Sequence, residues 1–269
     1  MSRPANLSSV IVIPSRYGST RFPGKPLAKI AGRSLLERVW ELASAVSGVN
    51  EVYIATDSDR IRQHAASFGA KVVMTSPDCK NGTERVHQVV RGLQHKPDVV
   101  INLQGDAVLT PPHILQALLK AMAADPSIEI ATPAVRLSAQ QFQELREAKQ
   151  RAEVGGTFVV FDRNHRALYF SKAPIPHLRK SDLKRPPAFR HIGMYAYTCE
   201  ALTKYLSLPA SPLEEAEQLE QLRALENGMD VRIVEVDYGG RTAGSVDTPE
   251  DVLAIEEIIE REGEILPIS

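Results

Sequence analysis

The sequence predicts an α/β protein with a mixed, mostly parallel central sheet. Two observations carry that class. Short apolar runs of strand length alternate with helical patterns through about residue 135, the rhythm of a parallel sheet covered on both faces. Beyond that point the rhythm changes, yet no repeat, low-complexity tract or linker cuts the 269 residues in two. The chain therefore reads as a single domain, 1–269, large enough for a full core.

Taken in order, "SSVIVI", "EVYIAT", "AKVVMT", "DVVINLQ" and "EIATPAV" are the strands, each a short apolar run. Between them lie the helical patterns "SLLERVWELASAV", "DRIRQHAASFG", "TERVHQVVRGLQ" and "PPHILQALLKAMAAD". A helix "SAQQFQELREAKQ" follows, then "TFVVFD" and "ALYFS" as a hairpin around "RNHR". "KAPIPHLRKSDLKRPPAFRH" has the composition of a long loop or lid. A strand "IGMYAYT", a helix "PLEEAEQLEQLRALENG", a strand "VRIVEV" and a helix from about Pro249 complete the chain. In the penultimate helix, Leu213, Ala216, Leu219 and Leu222 form a buried stripe, which puts Glu217, Glu220 and Gln221 on a neighbouring face.

Composition narrows the partner. The 32 basic and 33 acidic residues nearly cancel, so no global field exists to hold nucleic acid or an anionic membrane, and a small ligand is favoured. Neither a long apolar run nor a signal-peptide core appears, which predicts a cytoplasmic protein. Cys79 and Cys199 lie far apart and in no metal-ligand spacing, so both read as reduced bystanders.

The most informative stretch is "IPSRYGSTRFPGKPL", Ile13 to Leu27. Three cations, Arg16, Arg21 and Lys25, share one loop after a buried strand, and they repel unless an anion sits among them. The loop is neither a Walker A motif nor GxGxxG. Gly18 and Gly24 still allow close backbone approach, and amides near the next helix can face a phosphate. A solvated cationic surface loop is the competing interpretation. Asp106 follows the run "DVVINLQ" at the mouth of the sheet, and Asp247 precedes the last helix, where it could equally serve as an N-cap. Two isolated carboxylates suit Mg²⁺, which takes one or two protein oxygens and completes its shell with phosphate and water.

The loop resembles the signature of the CMP-Kdo synthetases, the 3-deoxy-manno-octulosonate cytidylyltransferases. The resemblance recurs in order through "VYIATDSDRI", "VVMTSPDCKNGTERV", "VVINLQGD", "ALYFSKAPIPH", "RHIGMYAYT", "SPLEEAEQLEQLRALENG" and "SVDTPEDV". It implies a Rossmann-like nucleotidyltransferase fold, usually homodimeric, that couples CTP to an acidic eight-carbon sugar with release of pyrophosphate. On that resemblance Pro14, Ser15, Arg16, Arg21 and Lys25 hold the CTP phosphates. Asn81, Gly82 and Arg85 hold the cytosine and ribose, with Thr83 able to cap their helix, and Gln104 serves nucleotide or sugar. Asp106 and Asp247 hold Mg²⁺, and with Arg16 and Lys25 form the catalytic set. Lys172, His191, Tyr195, Glu217, Glu220 and Gln221 face the sugar, His191 as a hydrogen-bonding partner more than as a base. The implied division is a nucleotide-binding part at about 7–135, a sugar-binding and dimerisation part at about 136–230, and a metal-binding part at about 231–262.

Five departures from the family pattern stand out: "QGDAV" for "QGDEP", "TAGSVDTPED" for "GTGVDTPED", Asn81 for Ser, Lys172 for Arg, and a lid "LRKSDLKRPPAF" that is this chain's own. Ala107 and Lys172 raise an amino-substituted octulosonate, 8-amino-Kdo, as a second candidate acceptor. A nine-carbon ulosonate is a third, and a non-catalytic nucleotide-binding homologue stands against all of them.

Overall fold

The computed structural model describes residues 7–18, 21–151, 156–179 and 185–266. Strand β1 (Ser9–Pro14) leads into a 3-10 turn at Lys25–Leu27 and a small hairpin, β2 (Lys29–Ile30) with β3 (Arg33–Ser34), that the sequence patterns did not announce. Helix α1 (Leu35–Ser44) is closed by a capping box in which Ser34 accepts from the Glu37 amide and Glu37 accepts from the Ser34 amide. Then come β4 (Glu51–Thr56), α2 (Asp59–Ser67), β5 (Lys71–Met74), α3 (Gly82–Gly92), β6 (Val99–Asn102), α4 (Pro112–Ala124), β7 (Ile130–Arg136) and α5 (Ala139–Gln150). The alternation read from the apolar runs is therefore present element by element.

The second half holds the predicted hairpin, β8 (Thr157–Phe161) with β9 (Ala167–Ser171), paired antiparallel. Residues 180–184, the centre of the expected lid, lie outside the described residues. Two expectations need correction. The strand expected at Ile192–Thr198 is two pieces, β10 (Phe189–His191) and β11 (Tyr195–Tyr197), so the end of the expected loop is itself strand. Both pieces run antiparallel along β7, but β10 bonds onward to β8 whereas β11 bonds onward to β6. The sheet forks at Ile192–Met194. After helix α6 (Cys199–Ser207), the single helix expected at residues 212–228 is instead α7 (Pro212–Glu217) and α8 (Gln221–Glu226). They are parted at Gln218, which adopts the left-handed conformation at φ 54°. The expected stripe fails with it: Leu219 and Leu222 are buried, Leu213 and Ala216 are exposed.

Strand β12 (Val231–Val236) pairs parallel with β7, and α9 (Pro249–Glu262) packs beside β2. The resulting ten-stranded sheet runs β5-β4-β1-β6-β11-β7-β10-β8-β9, with β12 branching from β7. It is mixed, and its first four strands are all parallel. Apolar cores cover both faces, one built around Ile11, Leu36 and Leu115, the other around Val12, Val89 and Leu222. Among the described residues no helix is long and apolar enough to cross a membrane.

Candidate active site

Two neighbouring compartments open where β1 and β6 end, the edge at which open α/β sheets bind ligands. The smaller, about 320 Å³, is lined by Pro14, Ser15, Arg16, Arg21, Lys25 and Arg85. The larger, about 610 Å³, is lined by Lys172, His191, Tyr195, Glu220 and Gln221 and extends into the fork of the sheet at Ile192–Met194. Asn81, Gly82, Gln104, Asp106 and Asp247 line both. The sequence candidates thus sort themselves into an anion-binding end, a second polar end and a shared boundary.

At the boundary, Lys25 Nζ sits 2.8 Å from Asp106 Oδ2, 2.7 Å from the Val246 carbonyl oxygen and 3.8 Å from Asp247 Oδ1. Arg21 reaches the same Asp247 oxygen at 3.0 Å. Asp247 is not the N-cap of α9: Thr248 is, and Asp251 accepts from the Asp247 and Thr248 amides, each at 2.7 Å. Its carboxylate is left to face the cleft. Two carboxylates converging on one ammonium form an oxygen donor set that fits a Mg²⁺ ion sharing phosphate and water. Among the described residues no cluster of three or more His, Cys, Asp or Glu offers a fuller protein cage.

Close backbone packing fixes these elements together. A Cβ on Gly105 would come within 3.0 Å of the Pro14 carbonyl oxygen, and one on Gly82 within 3.1 Å of Pro14 Cγ. Any side chain would press Pro14 aside by a few tenths of an ångström where the end of β1, the turn after β6 and the start of α3 meet, so glycine suits both positions. Asn81, not Thr83, caps α3, accepting from the Glu84 amide at 2.8 Å. Arg85 is buried, donates to Thr75 and pairs at 2.9 Å with Asp57, a partner that sequence patterning missed. Cys79 and Cys199 are free thiols, and Cys79 lines the smaller compartment.

In the larger compartment, Lys172 is joined by Arg190, which the sequence did not single out. His191 is buried and stacks edge-on against Phe170. The Thr132 hydroxyl donates to the Met194 carbonyl at 2.7 Å, so at 2.8 Å it accepts from His191 Nε2–H, which fixes the neutral tautomer. Burial, helped by the charge of Lys172, lowers the His191 pKa to about 3. Burial raises the Tyr195 phenol well above its usual value, so this ring stays protonated. Glu217 lines neither compartment. Its carboxylate accepts from Ser171 Oγ at 2.9 Å and from the Lys172 amide at 2.7 Å, fixing the backbone beside Lys172. The shared face expected for Glu217 and Glu220 is lost with the helix break at Gln218.

Each compartment also holds an orphaned polar atom. Ser15 Oγ in the smaller and Gln221 Nε2 in the larger are buried without a hydrogen-bond partner. Such groups are costly unless a ligand satisfies them.

The profile of the cytidylyltransferase family matches residues 10–232. A 3-deoxy-manno-octulosonate cytidylyltransferase of Maricaulis maris is 49% identical over 97% of this chain and 100% of its own length. An 8-amino-3,8-dideoxy-manno-octulosonate cytidylyltransferase of a Shewanella species is 39% identical over 93% of this chain and 98% of its own. A solved CMP:2-keto-3-deoxy-manno-octonic acid synthetase in complex with CTP superposes with a TM-score of 0.83 at 38% identity, covering 95% of this chain and 99% of that one.

Proposed function

This chain belongs to the CMP-Kdo synthetase family of cytidylyltransferases, and from that membership we propose that it couples CTP to 3-deoxy-manno-octulosonate, giving the CMP-sugar and pyrophosphate. The observation that carries this assignment is the shared boundary: one compartment with the cationic loop, one with Lys172 and hydroxyl partners, and both carboxylates between them. A reaction joining two substrates needs its bond to form at such a boundary.

In this reading the triphosphate lies along Ser15, Arg16, Arg21 and Lys25, with Ser15 Oγ finding its missing partner there. Asn81, Gly82, Arg85 and Gln104 hold the nucleoside. The acidic sugar occupies the larger compartment, its carboxylate near Lys172 and its hydroxyls near Glu220 and Gln221. Its anomeric hydroxyl attacks the α-phosphorus and pyrophosphate leaves, so positioning and charge neutralisation do most of the catalytic work. Asp106 and Asp247 would hold Mg²⁺, which when bound supplies Lewis-acid neutralisation of the phosphate oxygens. A homodimer, a cytoplasmic location and a role in lipopolysaccharide biosynthesis complete the proposal. So does the division into nucleotide-binding (about 7–135), sugar-binding (about 136–230) and metal-binding (about 231–262) parts.

A second acceptor, 8-amino-Kdo, is favoured by one observation: Ala107, where the family more usually has Glu, lines the larger compartment. Pyrophosphate release with CTP, Mg²⁺ and Kdo, run beside 8-amino-Kdo and a nine-carbon ulosonate, tests both. Kdo should be turned over at least as fast as either analogue. Release with 8-amino-Kdo alone transfers the assignment to that acceptor, and silence with all three acids despite CTP binding refutes transferase activity.

A further inference from the structure

The start of α3 touches the sugar end of the cleft through one side chain. Thr83 is completely buried, and its hydroxyl donates to Glu220 Oε2 at 3.0 Å while accepting from Asn102 Nδ2 at 3.2 Å. Asn102 is itself completely buried in β6, opposite Tyr195 of β11. The relay has one polarity: amide to hydroxyl, hydroxyl to carboxylate. A hydroxyl has a single hydrogen, so this arrangement spends it on Glu220 and favours the ionised carboxylate.

We propose that Thr83, backed by Asn102, is a positioning residue that orients Glu220 and holds it ionised to receive acceptor hydroxyls. Because Thr83 follows Asn81 and Gly82 directly, the same first turn that lines the nucleotide compartment also sets the acceptor compartment. The inference rests on the proposed acceptor role of Glu220. Burial works against the ionised state and raises the Glu220 pKa, whereas the Thr83 bond lowers it. The other groups facing Glu220 are Arg223, Glu214 and the phenols of Tyr195, Tyr197 and Tyr205, the last donating to the Glu220 carbonyl at 3.0 Å. All three phenols are held neutral by burial, so none competes as an anion near neutral pH.

Steady-state kinetics of Thr83→Val, Thr83→Ser and Glu220→Gln, with direct measurement of CTP binding, test the relay. Loss of one hydrogen bond to a charged group predicts that Thr83→Val raises the acceptor KM roughly tenfold with CTP affinity unchanged. The acid limb of kcat/KM for the acceptor should move to higher pH, because the carboxylate loses the donor that favours its ionised form. Thr83→Ser should restore both. In the double variant with Glu220→Gln, the two effects should fail to add. Equal losses for CTP and acceptor in Thr83→Val, or full additivity with Glu220→Gln, would show a merely structural threonine. An unchanged acceptor KM in Glu220→Gln would sink the acceptor role itself, whereas a rise there with none in Thr83→Val sinks only the relay. Should Thr83→Val not fold, Thr83→Cys, with its weak thiol donor, takes the same readouts.

Discussion

His191 shows how one residue can be dictated by burial more than by its own chemistry. An imidazole in water titrates near 6.5, but here the ring is enclosed by Phe170 and Tyr195 and meets Lys172 as a like charge. Both influences disfavour the cation, so the folded pKa falls to about 3. The unfolded chain then binds a proton that the folded chain refuses between those values, and folding stability declines as pH drops from about 6.5 toward 3. Thermal unfolding followed across that window should show a shallower decline in His191→Gln than in the parent protein; identical slopes would mean the ring ionises freely when folded. Near neutral pH the same ring donates from Nε2 and carries no charge, so the positive charge lining the larger compartment is that of Lys172 and Arg190.

Elements meet at the site with little slack. The end of β1, the turn after β6 and the start of α3 approach through Pro14, Gly105 and Gly82, and Lys25 ties the cationic loop to Asp106 at 2.8 Å. Gly105→Ala should force the Pro14 carbonyl away. That overpacking costs about 1–3 kcal/mol of stability, and it should lower kcat by a larger factor than it lowers the folded fraction, as stopped assays beside thermal melts would show. The parallel strands and most helix starts were legible because continuous apolar runs and polar starts are local signals. The break at Gln218 was not, since "EEAEQLEQLR" holds no Gly or Pro and its spacing suits one helix. What parts it is tertiary: Glu217 is drawn to Ser171 and the Lys172 amide while Leu219 enters the core. The cationic loop and the two aspartates were readable as chemistry. Their common partner Lys25, the Arg85 partner Asp57 and the addition of Arg190 depend on contacts between distant segments that no spacing encodes.

Across the whole molecule, the last described residues are tied to the first helix. Glu264 accepts two bonds from the buried Arg38, at 2.8 and 3.1 Å, and pairs with Arg33 at 3.0 Å. Burial alone would raise the Glu264 pKa, but the two guanidiniums outweigh it and hold it below the usual carboxylate value of 4.5. A group so lowered stabilises the fold above its unfolded pKa, and that contribution disappears as pH falls below about 4.5. Glu264→Gln leaves the buried Arg38 guanidinium with the Ile30 and Ala31 carbonyls but no counter-charge and should cost about 2 kcal/mol at pH 7, a gap that urea titrations should find closing in acid. A gap independent of pH would contradict an ionic clasp. The clasp anchors α9, and just ahead of α9 stands Asp247, paired with Arg21 across 226 positions of chain. For a chain growing on the ribosome that separation becomes an interval of time. The cationic loop emerges 226 residues ahead of Asp247, so until that carboxylate follows, the loop lacks one of the two aspartates that face it. The pairing of Arg21 with Asp247 therefore follows the synthesis of every described strand of the sheet.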